Sequence, residues 1–206
     1  MSWNPRTSQR LRVAREAANL LYTREQKEYR QAKLQAAESL RLHTLPSNAE
    51  VAGQLDKMAE EREGAERQKG LVRKRREAHQ IMRVLEDFRP VLVGSVWRGT
   101  ARLGSDIDIV VYSRSVRQAQ LRLLESNYII TRIEEQRVTK SGRKECSVHI
   151  HIKLPSGDDA EIVVRSPEEF GRGVVCEIYG DAVIGLNTRQ LERVLEQNPV
   201  KRFLPE

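Results

Sequence analysis

Two aspartates one residue apart stand at the head of an apolar run, Asp106-Ile107-Asp108-Ile109-Val110-Val111. The run predicts a β-strand, whose side chains alternate between faces, so both aspartates project to one side while Ile107 and Ile109 enter the core. Two carboxylates on one face repel each other, and a hard divalent cation between them relieves this repulsion. The pair therefore predicts a magnesium or manganese site that also takes phosphate oxygens from a substrate.

A glycine turn precedes these aspartates. The short apolar strand Pro90–Val93 leads directly into Gly94-Ser95. A residue without a Cβ lets backbone N–H groups approach a phosphate closely. A glycine turn or an acidic strand end is common by itself, but their order and spacing together indicate a phosphate-handling enzyme.

Residues 94–111 resemble the signature of the DNA polymerase beta-type nucleotidyltransferase superfamily, which has a Gly-Ser turn, a basic-Gly pair and Ser-Asp-x-Asp. The matching residues are Gly94, Ser95, Arg98, Gly99, Ser105, Asp106 and Asp108. Arg98-Gly99-Thr100 is similar to the form seen in archaeal CCA-adding enzymes and oligoadenylate synthetases, and the short spacing also resembles minimal nucleotidyltransferases. The family pattern extends over roughly residues 78–190.

The resemblance implies a third carboxylate on a neighbouring strand. Residues 158–165, after the turn signal Pro155–Asp158, provide the candidates. Glu161 is flanked by small and apolar residues, as the family's third acid is, whereas Asp159 lies at the exposed end of the predicted strand. We predict Glu161, with Asp159 as the alternative because the family more often has Asp here. An exposed glutamate on an edge strand is the competing interpretation.

The resemblance also implies the reaction. It is an in-line attack on the α-phosphorus of a nucleoside triphosphate, assisted by two Mg²⁺ or Mn²⁺ ions. Asp106 and Asp108 would bind both ions, and Glu161 would bind the ion beside the attacking hydroxyl. The triphosphate, expected to be ATP or CTP, would be held by Gly94, Ser95, Arg98, Thr100 and Ser105. For Arg98, a surface salt bridge is the alternative.

The elements that position these residues predict an α+β fold, with a mixed, polymerase beta palm-like sheet and helices after an all-helical N-terminal region. We expect two domains, a basic helical arm over residues 1–70 and a catalytic domain over residues 71–206. Within the arm, capping boxes are predicted at Thr23–Gln26 and Ser47–Glu50, and a break near Gly64 and Gly70. The predicted catalytic elements are a leading helix at 71–88, a helix at 116–126 burying Leu121, Leu123 and Leu124, strands at 128–138 and 144–154, a hairpin at 174–186, and a final helix capped by Asn187 or Thr188.

Positive charge is unevenly distributed along the chain. Residues 1–90 contain 19 Lys and Arg against 13 Asp and Glu, whereas residues 91–206 contain 17 against 16. Lys69, Arg73, Lys74 and Arg76 lie close together in a predicted helix. They predict a face that binds nucleic-acid phosphates, and a solvated surface is the alternative interpretation.

These observations predict a nucleotidyltransferase whose acceptor is RNA, such as a tRNA-like end. The alternatives are a protein acceptor, as for minimal nucleotidyltransferases of toxin–antitoxin pairs, and a non-catalytic helical interaction protein. The oligomeric state stays open. No apolar run is long enough to span a membrane and no signal peptide is evident, so we expect a cytoplasmic location with no membrane partner.

The cysteines and histidines are assigned no zinc. We expect Cys146 and Cys176 to stay reduced. On an unbulged strand Cys146 faces away from His149 and His151, which disfavours a zinc cluster. The polar face that carries these histidines is expected to border the active cleft, where His151 is either a substrate contact or an exposed side chain.

Overall fold

The computed structural model describes residues 5–140 and 143–205, with the side chains of residues 7–136 and 147–205. Two compact units are present. The first contains the chain up to Gly64 together with Val175–Ala182, and the second contains Ala65–Val174 and the chain from Val183 onward. None of the helices that the structure describes is long and apolar enough to cross a membrane.

The first unit is helical, with α1 at Pro5–Tyr22, α2 at Tyr29–Ser39 and α3 at Asn48–Glu63. Small side chains at three- and four-residue spacing allow α1 to pack closely against both other helices. The core residues include Val13, Ala14, Ala17, Ala18, Leu21, Ala32, Ala36 and Val51. Val175 and Ala182 form one isolated antiparallel bridge, where the sequence predicts a longer hairpin.

Only one of the two predicted capping boxes in this unit forms. Ser47 caps α3, since its hydroxyl accepts from the Glu50 N–H while its own N–H donates to the Glu50 carboxylate. The box predicted at Thr23 is wrong, because α2 begins at Tyr29. The Thr23 hydroxyl instead donates to the Asn19 carbonyl oxygen at 3.0 Å, which closes the last turn of α1.

The second unit follows a break at Gly64, whose φ of +52° ends α3. In chain order its elements are α4 (Ala65–Val84), β1 (Val91–Val93), α5 (Gly94–Arg98), β2 (Ile107–Tyr112), α6 (Val116–Glu125), β3 (Ile129–Lys140), β4 (Arg143–Lys153), β5 (Asp159–Arg165), β6 (Leu186–Asn187) and α7 (Thr188–Gln197). Single 3₁₀ turns occupy Glu86–Phe88 and Pro167–Glu169. The second unit therefore begins at Ala65, whereas the sequence predicts a division after residue 70, and Gly70 lies within α4.

The described strands form one mixed sheet in the order β3-β4-β5-β2-β1-β6. Strands β2 and β5 pair in parallel, and each other neighbouring pair is antiparallel. Alternate residues of β2 and β5 enter a core that also receives α4, and the fully buried members include Ala78, Ile81, Leu85, Leu92, Ile107, Ile109, Val111 and Ile162. The predicted α+β class, with a mixed sheet after N-terminal helices, is confirmed.

Helix α6 differs from its prediction in the face that it buries. Ala119 and Leu123, four residues apart, are completely buried. Leu121 and Leu124 are 44% and 53% exposed, so their predicted burial is wrong. The helix presents only a narrow apolar stripe to the sheet, because residues one or two positions from Leu123 are rotated away from that stripe.

Candidate active site

The site begins where β1 ends, beside Asp108. Val93 and Asp108 are cross-strand partners, and α5 starts at the next residue, Gly94. Gly94 has a φ of +68°, and a Cβ at this position would lie 2.0 Å from Asp108 Oδ2. Both the backbone conformation and the approach of the carboxylate therefore require glycine. Ser95 lies in the first turn of α5, so the predicted Gly-Ser turn is the start of a very short helix.

The carboxylates come from the start of β2 and from the neighbouring β5. Asp106 is exposed and immediately precedes β2, which begins at Ile107 and so is one residue shorter at this end than the sequence predicts. Asp108 is partly buried within β2. Its cross-strand partner on the parallel strand β5 is Glu161. The strand register therefore brings the predicted third carboxylate opposite the second.

Burial, together with the negative charges of Glu161 and Asp106, raises the pKa of Asp108 from an ordinary value of 3.8 to about 7. Both of those carboxylates therefore lie close enough to Asp108 to disfavour its ionisation. Repulsion of this kind costs stability unless positive charge neutralises it. A bound divalent cation would supply such charge.

The donor set fits a divalent cation chemically, because hard cations such as Mg²⁺ prefer carboxylate oxygens. Within the described residues, no three side chains of His, Cys, Asp or Glu are arranged as a ready-made metal site. The fit instead rests on the shared negative charge of Asp106, Asp108 and Glu161. These are the residues that would bind Mg²⁺ or Mn²⁺.

Asp159, the alternative third carboxylate, is placed differently. It is exposed at the first position of β5, and its side chain forms a 2.8 Å ion pair with Lys153. Its negative charge is thus already compensated by a lysine. Glu161 has no lysine or arginine ion pair in the described structure, so its position supports the prediction of Glu161 over Asp159.

Two histidines of β4 lie beside Glu161. His149 Nδ1 is 2.6 Å from Glu161 Oε1, and His149 Nε2 is 3.1 Å from the Ser147 hydroxyl. His151 is the cross-strand partner of Glu161, with its Nε2 3.7 Å from Oε1. The sequence analysis expected this polar face to border the cleft but did not single out His149. The alternation of Val148, Ile150 and Ile152 with polar residues was the signal that places it there.

The structure describes only some of the side chains for which the sequence disfavours a zinc cluster. Cys146 lies outside the described side chains, and Cys176 is a free cysteine. His151 is partly buried, and its Nε2 lies 3.4 Å from the Arg132 guanidinium.

Arg98 is buried beside the C-terminal segment. It is 5% exposed, donates to the Phe203 carbonyl oxygen at 3.0 Å, and its guanidinium lies 4.3 Å from the centre of the Trp97 ring. Its burial and contacts show that it anchors the C-terminal segment to α5. The predicted phosphate contact and the alternative surface salt bridge do not fit this position.

Thr100 and Ser105 shape the loop between α5 and β2. The Thr100 N–H donates to the Ser95 carbonyl oxygen at 3.0 Å, which closes α5. The Ser105 hydroxyl accepts from the Arg102 N–H at 3.1 Å within the turn that leads to Asp106. Ser105 directly precedes Asp106, and the predicted role of both residues toward the triphosphate stays a prediction.

Two basic residues of α4 hold the start of β5. Lys74 Nζ is 2.6 Å from Asp158 Oδ1, and Arg73 Nη2 is 2.9 Å from Asp158 Oδ2. Burial opposes ionisation of Asp158, but Lys74 and Arg73 together hold its pKa below the ordinary value. Lys74 is fully buried, so the prediction that it contacts nucleic-acid phosphates is wrong. Its ammonium forms a buried ion pair with Asp158, which directly precedes the strand that carries Glu161.

Two other basic residues of α4 hold the Gly-Ser helix and the loop after it. Arg75 is fully buried and donates to four carbonyl oxygens, those of Val96, Trp97, Pro199 and Lys201. Its burial lowers the pKa of its guanidinium to about 10. Arg67 donates to the carbonyl oxygens of Thr100 and Ala101 at 3.0 and 3.1 Å. Helix α4 thus fixes three of the segments that surround the carboxylates.

The remaining members of the predicted phosphate-binding face are exposed. Lys69 forms a surface ion pair with Glu66 at 2.7 Å, and both side chains are mostly in solvent. Arg76 is exposed on the same helix, and Arg73 retains 46% exposure despite its bond to Asp158. These three side chains remain available to a polyanion.

A comparison with models of protein families gives one match. Residues 75–183, slightly more than half of the chain, match the family model described as nucleotidyltransferase domain. A solved structure of a cytoplasmic RNA terminal U-transferase is similar to 53% of this chain, with 16% sequence identity and a TM-score of 0.33. The chain covers 34% of that protein, about a third of its length. No curated protein matches the chain significantly. The chain belongs to the nucleotidyltransferase domain family, of the polymerase beta type.

Proposed function

We propose that this protein is a metal-dependent enzyme that transfers a nucleoside monophosphate from a nucleoside triphosphate to a hydroxyl of RNA. The observation that carries the proposal is the position of Asp108, between Gly94 on one side and Glu161 on the other. This arrangement concentrates negative charge beside a turn that a phosphate can approach. It is what transfer of a phosphoryl group with divalent cations requires.

Each residue of the site has one task in this proposal. Asp106, Asp108 and Glu161 would hold the divalent cations, with Glu161 on the side of the attacking hydroxyl. Gly94 and Ser95 bind the β- and γ-phosphates through backbone N–H groups and the Ser95 hydroxyl. Divalent cations bound there would activate the attacking oxygen and stabilise the leaving pyrophosphate.

The raised pKa of Asp108 also argues against a purely structural role for the fold. Burial and two neighbouring acids disfavour the ionised form of Asp108. At neutral pH this side chain therefore makes the protein less stable than an uncharged side chain would. Local destabilisation of this kind is typical of catalytic sites. A non-catalytic interaction protein gains nothing from it.

The choice of RNA as the acceptor rests on charge. The chain has a net charge of +7, and Lys69, Arg73 and Arg76 keep basic groups exposed on α4. Contacts between such groups and phosphates supply most non-specific affinity for nucleic acids. Lys74, which the sequence predicts to be part of this basic face, adds no charge to it because its ammonium is buried.

The test uses each of the four nucleoside triphosphates with a radiolabel on the α-phosphate, with Mg²⁺ or Mn²⁺ and with total RNA or total protein as the acceptor. We expect label from ATP or CTP to enter RNA, and chelation of the metal to abolish transfer. Label in protein alone would replace the acceptor by a protein hydroxyl. Transfer to neither acceptor, with any triphosphate and either metal, would contradict the proposal.

A further inference from the structure

One oxygen of Glu161 is already engaged by a histidine. Glu161 Oε1 lies 2.6 Å from His149 Nδ1, and the two side chains are only 27% and 13% exposed. His149 and His151 share one face of β4, because residues two apart in a strand point the same way. A hydrogen bond this short, largely screened from water and made to a charged acceptor, restricts the orientation of the carboxylate strongly.

The contact made by the other ring nitrogen of His149 favours a hydrogen on Nδ1. The Ser147 hydroxyl lies 3.1 Å from His149 Nε2 and donates to it when that nitrogen is unprotonated. The ring hydrogen is then on Nδ1, which donates to Glu161 Oε1. His151 does not duplicate this role, since its Nε2 is 3.7 Å from the same oxygen, beyond hydrogen-bonding distance.

We propose that His149 is a positioning residue for the third carboxylate, holding Glu161 through Oε1 so that Oε2 is presented to a divalent cation. The inference rests on the proposed function. Glutamate has one more rotatable bond than the aspartate that the family more often has at this position. Fixing one of its oxygens lowers the entropy cost of ordering the longer side chain when a cation binds.

The test measures Mn²⁺ affinity of the metal-free protein by titration calorimetry, together with kcat and KM for the triphosphate. His149→Leu removes the donor, whereas His149→Asn keeps an N–H at the position of Nδ1. We expect His149→Leu to weaken Mn²⁺ binding by about 10- to 100-fold, the usual effect of losing a partner behind a metal ligand. Its kcat should fall while the triphosphate KM stays unchanged, and His149→Asn should restore most of both losses. His43→Leu, at an exposed histidine of the helical unit, should behave as wild type.

Equal Mn²⁺ affinity in wild type and His149→Leu would overturn the proposal, and so would equal losses in the Leu and Asn variants, which would indicate a packing role alone. Nitrogen-15 NMR of the histidine rings gives a separate readout that needs no variant at His149. We expect Nδ1 to be protonated in the wild-type protein, and a hydrogen on Nε2 alone would contradict the proposed bond. If the wild-type protein binds Mn²⁺ but transfers no nucleotide, the proposed function is overturned. The Mn²⁺ affinities of the variants and the NMR of the histidine rings then still decide the role of His149.

Discussion

At the scale of single residues, chemistry was more predictable from the sequence than burial. Alternation along β2 and β5 was sufficient to predict that Asp108 and Glu161 are polar residues among buried neighbours. It did not predict that Arg98 and Lys74 are buried, because a charged side chain is buried only when a distant segment supplies its partner. For Arg98 that partner is the Phe203 carbonyl, and for Lys74 it is Asp158. Neither contact leaves a local signal.

Gly94→Ala should destroy activity by distorting the site. The added methyl group would overlap Asp108 Oδ2, and the backbone would have to keep a φ of +68° that alanine disfavours. We expect nucleotide transfer to fall by at least about 100-fold, since misplacement by an ångström costs that much. The measurement is kcat/KM.

The matched control is Gly53→Ala, in the interior of α3, where a Cβ would have no atom within 4 Å. It should leave transfer unchanged and raise the free energy of unfolding by about 0.5–1 kcal/mol, because alanine favours helix. Full activity of Gly94→Ala would show that Asp108 is not held against this turn.

Asp108→Asn should stabilise the metal-free protein while inactivating it. The folded-state pKa of Asp108 is raised to about 7, so its stabilising contribution is complete in acid and is lost as pH rises through that value. At pH 8 in the presence of a chelator, the free energy of unfolding of the variant should be higher by up to about 4 kcal/mol, and the difference should vanish below about pH 3.

Urea denaturation at several pH values checks this expectation. Asp87→Asn, at an exposed carboxylate that pairs with Arg122, is the control and should change the free energy of unfolding little at any pH. The opposite result would be a free energy of unfolding that, relative to Asp108→Asn, becomes larger for the wild-type protein as pH rises. It would mean that the protein stabilises the Asp108 carboxylate as an anion without a bound cation.

At the scale of elements, the helix that the sequence analysis assigned to nucleic-acid binding mainly fixes the geometry of the site. Arg67, Lys74 and Arg75 of α4 are buried and bonded to the loop after α5, the start of β5 and α5 itself. The positions of the longer helices and strands were broadly predictable from periodicity and turn signals, whereas α5, the start of α2 and β6 were not. That Glu161 lies on a strand beside Asp108 was implied by resemblance alone. The parallel pairing of β2 with β5 was not predicted, because register depends on contacts far apart in sequence.

Lys74→Met should be strongly destabilising, whereas Lys69→Met should not. Loss of Lys74 leaves Asp158 buried with only Arg73 to neutralise it, at a cost of about 3 kcal/mol. Lys69 makes an exposed pair with Glu66, so its loss should cost no more than about 0.5 kcal/mol. The free energy of unfolding in urea distinguishes them.

Adding Asp158→Asn to Lys74→Met should recover part of the lost stability, because the uncompensated charge is removed. Equal stability of the Lys74 and Lys69 single variants would refute the interior ion pair and return Lys74 to the candidates for phosphate binding.

At the scale of the whole molecule, some of the basic side chains stabilise the fold from inside it and others are exposed to solvent. Residues 65–90 hold 8 Lys and Arg against 4 Asp and Glu, which is most of the excess in the first ninety residues. Three of these side chains, those of Arg67, Lys74 and Arg75, are buried and hydrogen-bonded within the second unit. Of these three, the sequence predicts an RNA contact for Lys74 alone, and that prediction fails because composition does not distinguish a buried cation from an exposed one.

RNA affinity should therefore depend on Lys69 and Arg76 but on few other residues of α4. If both contact phosphates of single-stranded RNA, the log–log slope of affinity against salt should become shallower by about 0.7 for each one reversed to Glu. Triphosphate affinity should not change, because the Gly94-Ser95 turn is untouched. Filter binding at several salt concentrations measures the slope, with Lys27→Glu, at an exposed lysine of the helical unit, as the control. An unchanged slope would favour a protein acceptor.

The central claim is that Asp106 and Asp108 bind the catalytic cations beside Glu161. Its most direct test is the rate of nucleotide transfer by the double variant Asp106→Asn with Asp108→Asn, whose fold is checked by circular dichroism. Removing the electrostatic centre of the reaction should lower the rate by at least about 1,000-fold while the folded structure is retained. Transfer at the wild-type rate by the folded double variant would contradict the assignment of this site.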